Sequence, residues 1–305
     1  MMRPVKVKIV EVGPRDGLQN EKSVLETEDK FHYISLLKEA GLKTIEVTSF
    51  VKPPAIPQMK DAVELFTLVR DRLGLEATNF PCLVPNMYGY EKARSLGVKE
   101  IALFSATSDS FTKKNVNATI DETFERMEEV AQEAKKDKVR MRGYISTAFG
   151  CPYEGKIEVS KLISVAERFL KLGVYEISVG DTIGVAVPDQ VRDALKSFLK
   201  AIPLEKTAMH FHDTRGMALT NILVSLEAGI STFDSSSGGL GGCPYAKGAT
   251  GNVATEDVWY LMQSLGINTG IDIKKLSEAS AFILSKVQRP TESKFLRAYQ
   301  NTGKV

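Results

Sequence analysis

Short β-branched runs alternate with longer amphipathic stretches along the whole chain. Apolar residues at period two, or in short unbroken runs, predict strands at 5–12, 43–50, 77–84, 100–106, 139–147, 175–179, 207–211 and 231–234. Apolar residues at three- and four-residue spacing predict helices at 27–40, 58–70, 86–96, 120–136, 160–172, 188–200, 218–228 and 254–265. These helical stretches open near Thr, Asp, Asn or Pro, and Gly41, Gly97, Gly173, Gly229 and Gly266 follow five of them in the position of a C-cap. Eight consecutive strand–helix units predict an α/β fold, a closed (β/α)8 TIM barrel rather than an open doubly wound sheet. No linker divides the series, so residues 1–305 are expected to form a single TIM-barrel catalytic domain, with the barrel over about 5–268. Beyond it, 272–287 reads as an extra helix and 291–305 as a polar tail.

The rival architecture, a dinucleotide-binding sheet, needs a glycine fingerprint after the first strand. The run Gly13-Pro14-Arg15-Asp16-Gly17 has the wrong spacing, and Pro14 lacks the amide a phosphate cradle would use. Forty basic against 38 acidic side chains give a net charge of +2 without a basic stripe, so nucleic acid is not an expected partner. No segment approaches the ~18 apolar residues that span a bilayer, so no membrane association is expected. Cys82, Cys151 and Cys243 lie far apart, without the pairing of a disulfide framework or a structural zinc site. The expected location is cytoplasmic.

In such a barrel the active site gathers at the C-terminal ends of the strands. Arg15, Asp16 and Gln19 follow the first strand, and Glu46, Thr48 and Ser49 close the second. Arg142 and Tyr144 lie in the fifth, Asp181 and Thr182 follow the sixth, and His210, His212 and Asp213 end the seventh. Residues two apart in a strand share a face, so His210 and His212 can hold one ion. Asp16 and Asn252 are placed to complete a divalent site through oxygen; donor type alone leaves Mn, Fe, Co, Zn and Mg open. A guanidinium at Arg15 can neutralise a developing oxyanion, and Glu46, alternating with Ile45 and Val47, points inward and needs Arg15 or the ion as partner. Asp181 has the simpler alternative of capping a turn. The glycine-rich loop 238–246 suits a lid or a phosphate-binding loop, and Cys243 within it is placed to exchange a proton with a substrate carbon. Cys82 and Cys151 read as packing residues.

These motifs resemble the 3-hydroxy-3-methylglutaryl-CoA lyase family, within the metal-dependent barrels that include isopropylmalate and homocitrate synthases. The resemblance covers about 10–256 and rests on EVGPRDGLQNE at 11–21, EVTSF at 46–50, FTKKN at 111–115, GCPYEG at 150–155, GDTIG at 180–184, HFHDT at 210–214, GLGGCPYA at 239–246 and GNVATE at 251–256. It implies cleavage of an acyl-CoA substrate, 3-hydroxy-3-methylglutaryl-CoA, to acetyl-CoA and acetoacetate. It further implies Asp16, His210, His212 and Asn252 as ligands to Mg or Mn, with Arg15 stabilising the enolate and Cys243 exchanging the proton. Glu46, Asp181, His210 and Glu256 take supporting catalytic roles by the same likeness, and Gln19, Lys22, Ser49, Tyr144 and Thr182, with Arg15, hold substrate. A homo-oligomer, such as a dimer, is expected.

Departures from the family pattern fall at 51–56 and at Asp109, where relatives carry Glu, and they bear on acyl-chain preference. Two other readings share the motifs: a condensing synthase joining an acyl-CoA to a keto acid, and a non-catalytic acyl-CoA-binding barrel. The synthases lack Gly-Pro before the Arg and carry further C-terminal domains, for which this sequence leaves no room.

Overall fold

The computed structural model describes residues 3–52, 56–242 and 251–302. Among them are eight parallel strands: β1 (Lys8–Glu11), β2 (Thr48–Ser49), β3 (Cys82–Leu83), β4 (Glu100–Ala106), β5 (Arg140–Ser146), β6 (Glu176–Asp181), β7 (Thr207–Phe211) and β8 (Thr232–Ser235). They pair in the order β1-β8-β7-β6-β5-β4-β3-β2. The two ends of that series meet: Glu11 N donates to Thr44 O at 3.0 Å, and Glu46 N to Glu11 O at 2.9 Å. The sheet therefore curls into the TIM-barrel-like ring that the eightfold alternation predicts.

Around the ring lie α1 (Thr27–Glu39), α2 (Ala62–Leu68), α3 (Met87–Ser95), α4 (Asp109–Val116), α5 (Ile120–Lys136), α6 (Val159–Leu172), α7 (Pro188–Ala201), α8 (Ala218–Glu227) and α9 (Thr255–Ser264). Helices α10 (Ile273–Val287) and α11 (Lys294–Thr302) follow. Local chemistry sets their starts. Thr119 and Glu122 form a reciprocal capping box on α5, and Asn86 Oδ1 accepts Gly89 N at the head of α3. The five glycines expected as C-caps all have positive φ, from 69° at Gly266 to 97° at Gly41.

Helix faces and outward strand residues make a continuous core, in which Phe124 and Phe169 meet edge to face at 5.0 Å. Each such fully buried side chain contributes about 1.5–3 kcal/mol. The inside of the ring, by contrast, is polar and charged: Arg142, Glu176 and Asp234 are buried there as ion pairs.

Three expectations need correction. Regular pairing in the second and third strands is shorter than predicted, because Pro81 has no N–H to give and the ladder continues only as isolated contacts such as Ile45 N to Asn79 O. The 291–305 stretch is not simply a polar tail: α11 forms there, with Leu296 buried and Asp257 accepting the amides of Lys294 and Phe295. The extra helix α4 was missed, its eight residues being too short to show a period. No helix among the described residues is long and apolar enough to cross a membrane.

Candidate active site

The chain leaves β1 through a tight π-helical turn at Gly13–Gly17, which carries Arg15 and Asp16 into the mouth of the barrel. Arg15 gives Nη1 to Asp16 Oδ1 at 2.7 Å, and its Nη2 lies 2.8 Å from Glu46 Oε2, so the inward Glu46 does have the partner expected for it. Burial works against charge on Arg15, but Glu46 and Asp16 outweigh it and raise its pKa further. For Glu46 burial wins over the attraction of Arg15, and its carboxyl is lifted above the ordinary range.

Asp16, His210 and His212 bring one candidate ligand atom each to within 4.8 Å of one another. Burial raises the Asp16 carboxyl, but Arg15 and the two imidazoles bring it below its ordinary value, so it is ionised. Burial and then the neighbouring His210 push His212 down to about 3, which keeps that ring neutral, as a metal ligand must be. Asn252 uses both its amide donors, one to Asp16 Oδ2 at 2.9 Å and one to Leu240 O at 3.2 Å. Its Oδ1 is left buried without a partner, as is His212 Nδ1. Two orphaned acceptors beside an ionised carboxylate and a second imidazole are what a divalent cation would satisfy, so the residues fit the metal. Asp16, His210 and His212 are thus brought together, with the Asn252 amide hydrogen-bonded to Asp16.

A cavity of about 680 Å3 opens from this cluster, lined near it by Arg15, Asp16, Gln19, Tyr144, Thr182, His210 and His212. Tyr144 lies between Arg15 and Arg142, with guanidinium carbons 5.4 and 5.0 Å from its ring, and its hydroxyl is buried without a partner. Gln19 Oε1 is likewise unpartnered. Thr182 Oγ1 accepts Thr147 N at 2.8 Å, which leaves its own hydroxyl hydrogen to give. The outer wall carries Lys52, Lys114 and Arg126.

Other predicted site residues stand apart from the cavity wall. Asp181 accepts the amides of Val185 and Ala186 at 3.0 Å each, the capping alternative, although its burial lifts the carboxyl above its ordinary value. Ser49 is buried behind the lining with its Oγ unpartnered, and Lys22 is exposed. Glu256 is fully buried, accepting Gly238 N at 3.0 Å and the hydroxyl of Ser280, and so braces the start of the glycine loop. Cys243 lies outside the described residues. The loop's neck is closed by Gly241 and Gly251, at φ 126° and 95°, where any side chain on Gly251 would collide with the Gly241 carbonyl. Cys82 and Cys151 are buried free thiols, as their packing reading requires.

Glu11, at the end of β1, was not expected in the framework of the site. Its carboxyl accepts Gly13 N, Ser237 N and Thr255 Oγ1, yet burial among neutral donors still raises its pKa from 4.5 to about 7; Glu256 is pushed in the same way to about 8. Between 4.5 and about 7 the unfolded chain has lost this proton while the native chain keeps it. Stability therefore falls as pH rises through that window and levels off above it. Glu11→Gln, which preserves the acceptor for both amides, is expected to remove up to about 3 kcal/mol of this loss, seen as a flatter plot of urea-unfolding free energy against pH. An unchanged slope would show that Glu11 is ionised throughout.

Asp234 is a second residue outside the expected set. It lies opposite His210 across β7 and β8, and its Oδ2 is 3.3 Å from His210 Nδ1. The signal was present in the alternation Thr232, Phe233, Asp234, which turns the acid inward with its polar neighbour.

Comparison with known proteins gives concordant findings. Residues 6–283 match the family model described as HMGL-like. The chain is 50% identical over 295 residues to the mitochondrial hydroxymethylglutaryl-CoA lyase of Rattus norvegicus, covering 97% of this chain and 90% of that one. The hydroxymethylglutaryl-CoA lyase of Pseudomonas aeruginosa superposes with a TM-score of 0.95 at 46% identity, covering 99% of each chain. An HMG-CoA lyase from Acinetobacter baumannii, solved with coenzyme A and 3-methylmalate, superposes with a TM-score of 0.92 at 36% identity over 98% of this chain and 97% of that one.

Proposed function

Since this chain belongs to the HMGL-like family, we propose that it is a metal-dependent carbon–carbon lyase that cleaves 3-hydroxy-3-methylglutaryl-CoA into acetyl-CoA and acetoacetate. The observation that carries the reading is the placement of Arg15 in the same cavity wall as the Asp16, His210 and His212 cluster. Asp16, His210, His212 and Asn252 would hold Mg or Mn there. The ion supplies Lewis acidity, lowering the pKa of a tertiary hydroxyl that is otherwise far above neutrality.

The chain's own groups account for the rest. Once a base in the site has taken the 3-hydroxyl proton, the bond between C2 and C3 breaks, the ketone of acetoacetate forms, and the electron pair passes to the thioester as an enolate. Arg15, held by Glu46 and Asp16, keeps its fixed donors where that negative oxygen develops. Cys243 would return a proton to C2 of the departing fragment. Tyr144, Gln19 and the free hydroxyl hydrogen of Thr182 offer polar contacts to the acyl carboxylate and carbonyl. Ser49, buried behind the lining, and Lys22, exposed outside it, do not line this cavity; Asp181 shapes the loop bearing Thr182, and Glu256 supports Gly238. Lys52, Lys114 and Arg126 suit the phosphates of an acyl-CoA tail. The cytosol is the compartment proposed with it; the free thiols of Cys82 and Cys151 fit a reducing compartment. A dimer is proposed on the aromatic cluster of Phe295, Tyr299 and Tyr260, the last 51% exposed. Light scattering on the purified protein tests it.

Purified protein with the hydroxymethylglutaryl thioester and Mg or Mn is expected to release acetoacetate; no release with any divalent cation would overturn the reading. Cys243→Ser is expected to retain Mn binding by calorimetry while kcat falls by at least about 100-fold, the lower range for a lost proton-transfer group. Full turnover in that variant would remove the thiol from the reaction.

A further inference from the structure

Three hydrogen-bond donors converge on Asp234, the third residue of β8, buried inside the ring. Arg142 gives Nη2 to Oδ1 at 2.7 Å and Nη1 to Oδ2 at 3.1 Å, and Ser178 gives its hydroxyl to Oδ2 at 2.6 Å. Arg142 is in turn fixed on its other side by Glu176, whose second oxygen takes Lys8 Nζ. The remaining neighbour of Asp234 is His210 Nδ1. A carboxylate held by a guanidinium offers only acceptors, so the ring nitrogen facing it has to carry the hydrogen. Nε2 of His210 then keeps its lone pair.

We infer that Asp234, locked by Arg142 and Ser178, is a positioning residue that holds His210 in the Nδ1–H tautomer and presents Nε2 to the cation. The inference deepens the proposed function and rests on its metal site. Groups that orient a ligating imidazole in this way typically change metal affinity by about 10–100-fold when removed. Four adjacent strands contribute to the brace, β5 through Arg142, β6 through Ser178, β7 through His210 and β8 through Asp234, so the ring holds it without help from a loop.

The test begins on the metal-free wild-type protein. With 15N-labelled histidine at a pH where the ring is neutral, the His210 signals, assigned by their loss in His210→Gln, are expected to show the hydrogen on Nδ1; a hydrogen on Nε2 overturns the inference. Calorimetry with Mn then compares wild type, Asp234→Asn and Ser178→Ala. Affinity is expected to fall about 10–100-fold in Asp234→Asn and by less in Ser178→Ala, with the His210 tautomer mixture shifting in step. Affinities within twofold of wild type in both variants overturn it. Should Asp234→Asn fail to fold, the wild-type tautomer and Ser178→Ala still decide. Wild-type protein that binds no Mn would instead sink the metal reading itself, which separates the two failures.

Discussion

Replacing Arg15 with glutamine is expected to lower kcat by about 10^3-fold, the upper range for losing one preorganised oxyanion donor. The same change leaves Glu46 buried without its counter-charge, and breaking a buried ion pair from one side costs about 3–5 kcal/mol. The two effects separate in a double variant. Arg15→Gln with Glu46→Gln should regain much of the stability, measured by urea unfolding, while turnover stays low. If the double variant recovered activity as well, Arg15 would be a structural cation and the enolate would find its donors elsewhere. Arg15→Lys should keep the charge but not the planar fork that reaches Asp16 and Glu46 at once, and it should fall between the two.

Loss of a ligand should be nearly as damaging. His212→Ala and Asp16→Asn are each expected to weaken Mn binding by at least about 100-fold, and chelation of the wild-type protein should abolish acetoacetate release until Mg or Mn is restored. A stability readout accompanies this. Saturation at about 100 times the dissociation constant adds about 2.7 kcal/mol to the native state, an increment His212→Ala should not show. Turnover that persists in the chelated enzyme would end the metal-dependent mechanism.

Much of this site lay in the chain's local pattern. The alternation of short apolar runs and amphipathic stretches is a property of neighbouring residues, and it was enough to place eight strands, nearly all the helices and the five capping glycines. Side-chain alternation also placed His210 beside His212 and turned Glu46 inward toward Arg15. The pairing of β2 with β3 was harder to read, because Pro81 interrupts a ladder that the apolar pattern extends. Helix α11 was legible only in part, since its stability comes from burying Leu296 and from Asp257 capping it across the fold. For the brace on His210, alternation turns Asp234 inward, but nothing local says what it meets. Arg142, Ser178 and Asp234 are separated by 36 and 56 residues along the chain and meet only when β5, β6 and β8 share one interior.

Sequence alone therefore determined the strand–helix series, the chemical types available at the strand ends and the family to which they belong, because backbone preference and side-chain period are set within a few residues. Only the closed ring decided which acids face a cation, which cap a turn, as Asp181 does, and which support the frame, as Glu11 and Glu256 do. A carboxylate's role depends on its burial and its donors, and those are supplied by strands far away in the chain.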